Sequence, residues 1–537
     1  MHDSRTNGTY CENWNAYVVF EDKIRKIVKR EKIMIDKAKQ NYEEILEFVF
    51  KISYLCMAFA TFITYIYMSP IQPILVKLTL VLGTLTILAR VINWKKYRKM
   101  PCLLLMLLFC LSFLLSTVMN RQYGMTDNLK WIIWTAIQFF GLYMCDLERD
   151  EKKYQREFVI LSHIFIIITI FAAAASLIML IMSYSAILTS VDGEFIVTGF
   201  EWDRLWGAYV DPNYGAICSV IGIVLSLFYV IKKKGFQKIL YVLAVVLNYA
   251  YLIFSDSRTG EIALAVSLGI FLFFLGKNKF KSKKCLKSIF MLIGVLVVLL
   301  SISQEIKTQN ITYQKSVVAA REAAAQEENK RKEEQSTAVT GEQNSEVTGE
   351  QNSKVAGEQS GEPTEEQNSE LAGKQKNEPT QRQKDLREDV SNGRLALWQS
   401  AVEVWETSPI YGAGYSTFIA YAKENAPDTF AVNNDVGEYT SMHNTFFSAL
   451  AYQGGIGAVL LLVIALRIFF SIIKVVKSEN NERQLEVVVM FSCVCGIAVS
   501  MMFLLDGIYT NSISAAILWI FSGYLVRESY RKSIVEK

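Results

Sequence analysis

The sequence contains few of the residues that interrupt apolar segments, with 8 prolines and only 20% charged residues in 537 positions. A soluble chain of this length would normally divide into several domains separated by frequent turn signals. Here the apolar runs repeatedly approach the roughly 20 residues that span a bilayer. The composition therefore predicts a polytopic membrane protein.

Several other functional signals are also absent. A net charge of +4 and a pI near 8.4 are too mild for nucleic-acid binding. The nine cysteines follow no disulfide or metal-binding spacing, so we expect them to be packing residues. Residues 1–48 contain no recognisable cleavable signal, so we expect the first spanning helix to direct insertion. No glycine-rich phosphate loop follows a strand, which disfavours a cytosolic nucleotide-sugar donor.

Apolar runs near bilayer length predict an all-α polytopic membrane protein with about twelve transmembrane helices. The predicted spans are 52–69, 71–92, 102–119, 129–145, 158–182, 213–231, 237–254, 259–276, 286–303, 445–473, 485–505 and 512–526. Lys and Arg concentrate in every second connection, which predicts cytoplasmic termini. The long segment 303–442 is then a large extracytoplasmic loop between spans 9 and 10.

The chain is predicted to divide into seven parts. They are a cytoplasmic basic amphipathic arm at 1–48, spans 1–9 at 49–303, a charged helical segment at 304–337, a disordered octad repeat at 338–385, an extracytoplasmic helical loop at 386–443, spans 10–12 at 444–526 and a cytoplasmic tail at 527–537. The arm suits either a membrane-surface helix or a soluble or coiled-coil helix. The octads, such as AVTGEQNS, predict a tether, and no chemistry is assigned to 303–388.

Three arginines on the predicted outer side work against the charge bias and are therefore candidate functional residues. Arg204 lies in DRLWGAYVDPN, Arg258 lies in SDSRTGE, and Arg394 opens the segment RLALWQSAVEVWET. The alternative is that each anchors lipid headgroups or pairs with a nearby acid such as Asp203 or Asp256.

Histidine is scarce, since the chain has only three. His443 lies on the predicted outer side, where its usual pKa of about 6.5 suits a general base. Asn444 is a candidate to orient His443 or a substrate, and the alternative for His443 is a cap or interface role. His163 is expected to pack or hydrogen-bond. Asp211 precedes Pro212 and is interpreted mainly as a helix N-cap, with substrate binding as a second role.

These residues lie in motifs that resemble the O-antigen ligase/polymerase superfamily of bacterial envelope glycosyltransferases. The motifs are DRLWGAYVDPN, SDSRTGE, RLALWQSAVEVWETSPIYGAGYSTF and HNTFFSALAYQGGIGAVLLL, in this order. The resemblance covers roughly residues 50–303 and 388–526 and implies a GT-C-like membrane protein. It assigns functional roles to Arg204, Arg258 and His443, and more weakly to Arg394.

The resemblance implies transfer of a saccharide from a polyprenyl-diphosphate, such as an undecaprenyl diphosphate carrier, to an acceptor hydroxyl on the outer face of the bacterial cytoplasmic membrane. A diphosphate leaving group needs positive charge more than a proton, so Arg204 and Arg258 suit it, and His443 suits the acceptor proton. Direct displacement would invert the anomeric carbon. We expect no metal and no cofactor. The expected partners are the lipid-linked donor, a glycan acceptor, the bilayer and a chain-length regulator, with no nucleic acid.

The sequence leaves the type of transferase open. A capsular or O-antigen-type polysaccharide polymerase is the preferred interpretation, and a ligase acting on a different acceptor is the alternative. Outside the enzyme class, a lipid-linked oligosaccharide transporter or a glycan-binding scaffold remains open. Transporters tend to bury ionisable residues at the membrane midplane, whereas Lys51 and Lys77 are expected to extend to the membrane surface. The one-sided distribution of polar residues favours the enzyme.

Overall fold

The computed structural model describes residues 41–190, 193, 195–279, 303–327, 393–435, 437–478 and 483–535, and these are mostly helical. Its main helices are α1 Asn41–Phe62, α2 Ile71–Ile92, α3 Leu103–Met119, α4 Thr126–Ala136, α5 Glu151–Ile181, α6 Pro212–Lys232, α7 Gly235–Phe254, α8 Arg258–Lys279, α9 303–327, α10 Arg394–Thr407, α11 Phe418–Asn425, α12 Thr445–Ser478, α13 Gln484–Met501 and α14 Ile513–Val535. Short turns of helix lie at Thr64–Tyr67 and Trp94–Tyr97, and α4 continues as a π-helix over Ile137–Tyr143. Residues 1–40 of the predicted arm and the octads at 338–385 lie outside the described residues, and residues 41–48 of the arm form the start of α1.

Within the described residues, eight helices are long and apolar enough to cross a membrane, namely α1, α2, α5, α6, α7, α8, α12 and α13. The shorter α3 is also apolar. These helices confirm a polytopic, mostly helical membrane protein. The predicted span at 286–303 lies almost entirely outside the described residues, so the count of twelve spans stays a prediction.

Loop contacts gather the ends of several helices at one end of the bundle. The Val210 amide donates to the Phe62 carbonyl at 3.0 Å, and the Thr445 hydroxyl donates to the Leu504 carbonyl at 3.1 Å. We call this the site end, and the end formed by the start of α1 and the close of α2 the opposite end. The helices alternate in direction because short connections join antiparallel neighbours.

A small sheet at the site end was not predicted from the sequence. Strands β1 Ser185–Thr189, β2 Phe195–Glu201 and β3 Arg204–Gly207 form an antiparallel sheet in the order β1-β2-β3. Ser185 pairs with Gly199 and Glu201 pairs with Arg204 across the two ladders. The sheet connects α5 to α6 and fixes the position of Arg204.

A buried ion cluster ties the helices together at the opposite end. Lys51 on α1 donates to Glu47 at 2.5 Å, to Glu157 on α5 at 3.0 Å and to Tyr524 on α14 at 3.2 Å. Arg149 also pairs with Glu157. The expectation that Lys51 extends to the membrane surface is therefore wrong, because its ammonium is fully buried and its charge is balanced inside the bundle.

Arg90 on α2 joins the same cluster. Its guanidinium lies 3.2 Å from Glu47 and donates to the carbonyl of Gly141 at 2.9 Å, where the π-helix after α4 ends. A cation at this helix end donates to the unpaired carbonyls and interacts favourably with the helix dipole. The cysteines of the described residues are all free and buried or half-buried, in keeping with a packing role.

Candidate active site

The start of α6 forms one wall of the candidate site. Asp211 is the N-cap, and its carboxylate accepts from the amides of Asn213 at 2.7 Å and Tyr214 at 3.2 Å, with Pro212 as the first helical residue. This confirms the capping interpretation of Asp211, because Asp before Pro satisfies the free amides of a helix start. The Tyr214 hydroxyl donates to the Leu505 carbonyl at 2.5 Å and so joins α6 to the loop before α14.

Arg204 is held between the sheet and two helix ends. Its Nε donates to the carbonyl of Ser255, which closes α7, and its Nη2 donates to the side chain of Asn213, each at 2.9 Å. The Ser257 hydroxyl donates to the same Asn213 oxygen at 3.1 Å. These bonds fix the plane of the guanidinium, and they join the α6 start to the corner between α7 and α8.

Arg258 is the first residue of α8 and is exposed. It follows the short turn Ser255–Ser257 that binds Arg204 and Asn213, so the two arginines belong to one region of the site end. Arg258 also lines a cavity of about 320 Å³ together with Asp203 and Asp256. Acidic residues therefore lie near Arg258, as required by the alternative in which Arg258 pairs with an acid. The Arg258 side chain is nevertheless exposed.

His443 lies directly before α12 in a left-handed conformation, with φ of 45°. Its amide donates to the Ser441 hydroxyl at 3.1 Å, and its ring lies edge-on to Tyr439 with centroids 6.4 Å apart. A non-glycine residue in this region is strained and persists only where its surroundings hold it. The backbone thus holds the His443 ring at the site end in a defined position.

Asn444 is the residue that holds His443 from the C-terminal side. Its side-chain oxygen accepts from the amides of Phe446 at 2.9 Å and Phe447 at 3.1 Å, and its amide group donates to the Met502 carbonyl at 2.9 Å. Asn444 is also buried. The structure therefore gives Asn444 a capping and positioning role, and this contact set supports the orienting function rather than direct contact with a substrate.

The electrostatic surroundings favour neutral His443. Partial burial, followed by the positive charge of Arg394, lowers the pKa of His443 from its usual value, and the carboxylate of Asp211 opposes this shift. An imidazole that is neutral near pH 7 can accept a proton. His443, Asp211 and Arg394 therefore interact at the same site, although they come from three distant segments of the sequence.

Arg394 opens α10, and α10 packs against the start of α12. The guanidinium of Arg394 lies 5.8 Å from the ring of Phe503, and Trp398 stacks on Phe447 with centroids 5.2 Å apart. The contact with Phe503 is a cation–π interaction. Both contacts place the N-terminal half of α10 over the loop that carries His443.

The glycine turn after α10 packs on a break in α12. The helix ends at Thr407, two residues before Pro409, and the Gly414 amide donates to the Tyr452 carbonyl at 2.9 Å. Gly412 has φ of 68°, and a Cβ there would lie 2.5 Å from the Gly454 nitrogen. Gly454 interrupts α12 with φ of 65°. The motif PIYGAG and the motif QGG therefore meet backbone to backbone, which explains why both need glycine.

Asp506 is a site residue that the sequence did not single out beyond its place among scattered outer acids. Its buried carboxylate accepts from the hydroxyls of Ser500 at 2.5 Å, Ser512 at 2.6 Å and Ser514 at 2.7 Å. The Thr445 hydroxyl donates to the Asp506 carbonyl at 2.8 Å. Asp506 thus fixes the loop between α13 and α14 against the start of α12. The run of serines around one aspartate was the available signal.

His163 takes no part in this site. Its ring nitrogens lie 2.6 Å from the Val159 carbonyl and 2.9 Å from the Tyr241 hydroxyl, on α5 and α7. These contacts confirm the predicted packing and hydrogen-bonding role. Of the candidate residues, the structure places Arg204, Asp211, Arg258, Arg394, His443 and Asn444 at the site end, with Asp211 and Arg394 close enough to act electrostatically on His443.

Two comparisons match this chain to known proteins. The family described as O-antigen ligase, Wzy_C, matches residues 240–462. The exopolysaccharide production protein ExoQ of Rhizobium meliloti (strain 1021) is 29% identical over 99 residues, which are 18% of this chain and 22% of that protein. The alignment thus spans about a fifth of the relative's own length. The family match includes Arg258, Arg394 and His443.

Proposed function

We propose that this chain is a membrane glycosyltransferase of polysaccharide production that works at the extracytoplasmic face. The family match and the distant relative support its membership of the O-antigen ligase/polymerase superfamily. It transfers saccharide from a polyprenyl-diphosphate-linked donor to an acceptor hydroxyl. Its preferred role is that of a capsular or O-antigen-type polymerase, and a ligase acting on a different acceptor is the second role within the class.

The observation that carries the proposal is that His443, Arg204 and Arg258 lie at the same end of the bundle. The charge of Asp211 acts on His443, the Asp211 carboxylate accepts from the Asn213 amide, and the Asn213 side chain accepts from Arg204. Arg204 donates to Ser255 in the turn that leads into Arg258. One proton acceptor and two guanidinium groups thus face the same end of the bundle, which is the set of groups that displacement of a diphosphate requires.

The proposed reaction is a direct displacement at the anomeric carbon. The acceptor oxygen bonds to C1 while its proton passes to neutral His443, and the bond from C1 to the phosphate oxygen breaks with its electron pair. The diphosphate leaves as an anion, whose growing charge Arg204 and Arg258 stabilise by paired hydrogen bonds. The configuration at C1 inverts. Because two arginines supply the positive charge, we expect the reaction to need no divalent metal and no cofactor.

The decisive experiment uses the full chain in liposomes with the polyprenyl-diphosphate repeat unit of the native host and excess chelator. His443→Ala should lower the turnover by about 10² to 10⁴-fold while donor binding is retained. His163→Ala is the matched control and should retain activity. A ladder of product lengths from the wild type establishes the polymerase, and single transfer to an added second acceptor establishes the ligase.

Two results would contradict the proposal. Wild-type turnover by His443→Ala would remove the base assignment. Absence of transfer with both acceptor arrangements, together with movement of the labelled donor across the liposome membrane, would instead establish the transporter. Loss of wild-type activity in chelator, restored by a divalent cation, would contradict the metal-independent mechanism alone.

A further inference from the structure

Helix α9 forms one wall of a cavity to which no function was assigned from the sequence. The cavity, of about 320 Å³, lies between the sheet, the corner of α7 and α8, and α9. Within α9, Gln304, Lys307, Thr308, Asn310 and Ile311 line it. The spacing of three and four residues among Gln304, Lys307, Thr308 and Ile311 places those four on one face of the helix. This volume falls in the range of about 300 to 1,000 Å³ that is typical of small-ligand sites.

Contacts on both sides hold α9 over the cavity. Gln314 donates to the Leu180 carbonyl at 3.0 Å, and Arg321 donates to the carbonyls of Met182 and Ser183 at 2.9 and 3.0 Å. These carbonyls belong to the C-terminal end of α5, where a cation is favoured. The described part of the charged segment at 304–337 is helical, and several of its polar side chains bind the bundle.

Lys307 anchors the same helix from the cavity side. Its buried ammonium pairs with Asp256 at 3.1 Å and with Glu261 on α8. Lys315 lies 3.6 Å from Asp203 in the turn between β2 and β3. The cavity wall is thus assembled from three separate parts of the chain.

The charges around the cavity are balanced. Arg258 and Lys307 line it together with Asp203 and Asp256. Glu261 does not line the cavity but forms an ion pair with Lys307. A site built for a bare anion would carry an excess of positive charge, which this one lacks. Its remaining lining combines amide and hydroxyl groups with the rings of Phe200 and Phe254. Hydrogen-bonding groups of both kinds beside apolar ring faces suit a ligand rich in hydroxyl groups.

We infer that this cavity binds an oligosaccharide of the lipid-linked substrate, with Gln304, Thr308 and Asn310 of α9 contributing to its recognition. The inference rests on the proposed function and extends it to the substrate's sugar. Arg258 lines the cavity and begins α8, so a diphosphate at Arg258 has its attached saccharide next to the cavity. Helix α9 is then a specificity-determining element rather than a spacer.

The test is direct binding of the free glycan, released from the native lipid-linked repeat unit, to the full chain in detergent by calorimetry. The double variant Gln304→Ala/Asn310→Ala should raise the dissociation constant about tenfold, as expected for the loss of two hydrogen bonds. The matched control is Gln309→Ala/Thr312→Ala, which changes exposed side chains of the same helix that do not line the cavity. This control should bind the glycan as the wild type does.

Unchanged glycan binding by Gln304→Ala/Asn310→Ala would overturn the inference, as would binding of inorganic pyrophosphate that depends on these two residues.

Steady-state kinetics of the same double variant identify the source of the sugar. A raised KM for the donor alone assigns the cavity to the donor glycan, and a raised KM for the acceptor alone assigns it to the acceptor. Glycan binding that depends on the cavity without any transfer would contradict the proposed function and leave the subsite standing. Normal transfer kinetics and normal glycan binding in the double variant would contradict the subsite alone.

Discussion

At the scale of single residues, the candidate site is organised by charges that act on one imidazole. Arg394 and Asp211 lie on different helices, yet both act on His443 with opposite sign. The position of His443 before α12 depends on Asn444 and Thr445, which are bonded to the loop that Asp506 fixes. The neighbouring charges therefore shift the pKa of His443, and a separate set of hydrogen bonds holds the chain next to it in place.

The two charged neighbours of His443 should shift the pH dependence of transfer in opposite directions. Arg394→Gln removes a positive charge, so the pKa of His443 rises and the acidic limb of kcat against pH moves to higher pH by up to about one unit. Asp211→Asn removes the opposing negative charge, so the limb moves to lower pH, while Asn still caps α6. Activity falls as the pH drops through the pKa because the base must be unprotonated. Shifts of both variants in the same direction would show that another group controls the limb.

Arg258→Lys tests whether a planar guanidinium is needed at the start of α8. A lysine retains the charge but loses the paired geometry, so kcat/KM should fall by about ten to a hundredfold, equivalent to one charge-assisted hydrogen bond of about 1.5 to 3 kcal/mol. Arg121→Lys, at another exposed arginine, is the matched control and should change little. Equal kinetics for the wild type and Arg258→Lys would support the lipid-anchoring alternative.

The residue types of the site could be predicted, but their connections could not. The scarcity of histidine and of outer arginines singled out His443, Arg204, Arg258 and Arg394. The bond from Ser257 to Asn213 and the bond from Thr445 to the Asp506 carbonyl join segments far apart in the sequence, and no local spacing indicates such bonds.

At the scale of elements, the apolar runs predicted the long helices well because length and hydropathy are local properties. The sheet was missed because strands of four to seven residues between two helices resemble a loop in sequence. In α10 the apolar residues at helical spacing are Leu395, Trp398, Val402 and Trp405, yet the buried residues are Leu397, Ser400, Ala401 and Val404. The partner of a helix decides which face is buried, and the sequence of the helix alone does not contain that partner.

The glycine contact between the turn after α10 and the break in α12 should be sensitive to a single methyl group. Gly412→Ala combines a strained positive φ, about 1 to 2 kcal/mol, with a backbone clash that costs about 1 to 3 kcal/mol more. Gly235→Ala has a comparable φ of 59° and open space, so it isolates the strain. Thermal unfolding in detergent should show the larger loss for Gly412→Ala. Equal losses would mean that the turn does not pack as described.

At the scale of the whole molecule, the alternation of basic connections predicts the orientation, and with it an extracytoplasmic position for the octads. Deletion of 338–385 should leave transfer within about twofold of the wild type, since a segment with little to bury contributes little to a folded site. Activity of correctly inserted protein, measured with the same lipid-linked donor, checks this. A large loss of activity would show that the octads take part in catalysis or substrate capture.

The buried ion cluster at the opposite end has a consequence for how the protein admits a large substrate. Removing one partner from a buried ion pair leaves an uncompensated charge, at a cost of about 3 to 5 kcal/mol, so α1, α2, α5 and α14 cannot separate easily where Lys51, Arg90 and Glu157 meet. We therefore expect the helices to move little relative to one another at that end. Under the proposed function, we expect the displacements that admit a lipid-linked glycan and release a longer one to be smallest at this end and largest at the sheet, α9 and α10, on the far side of the bundle from the ion cluster.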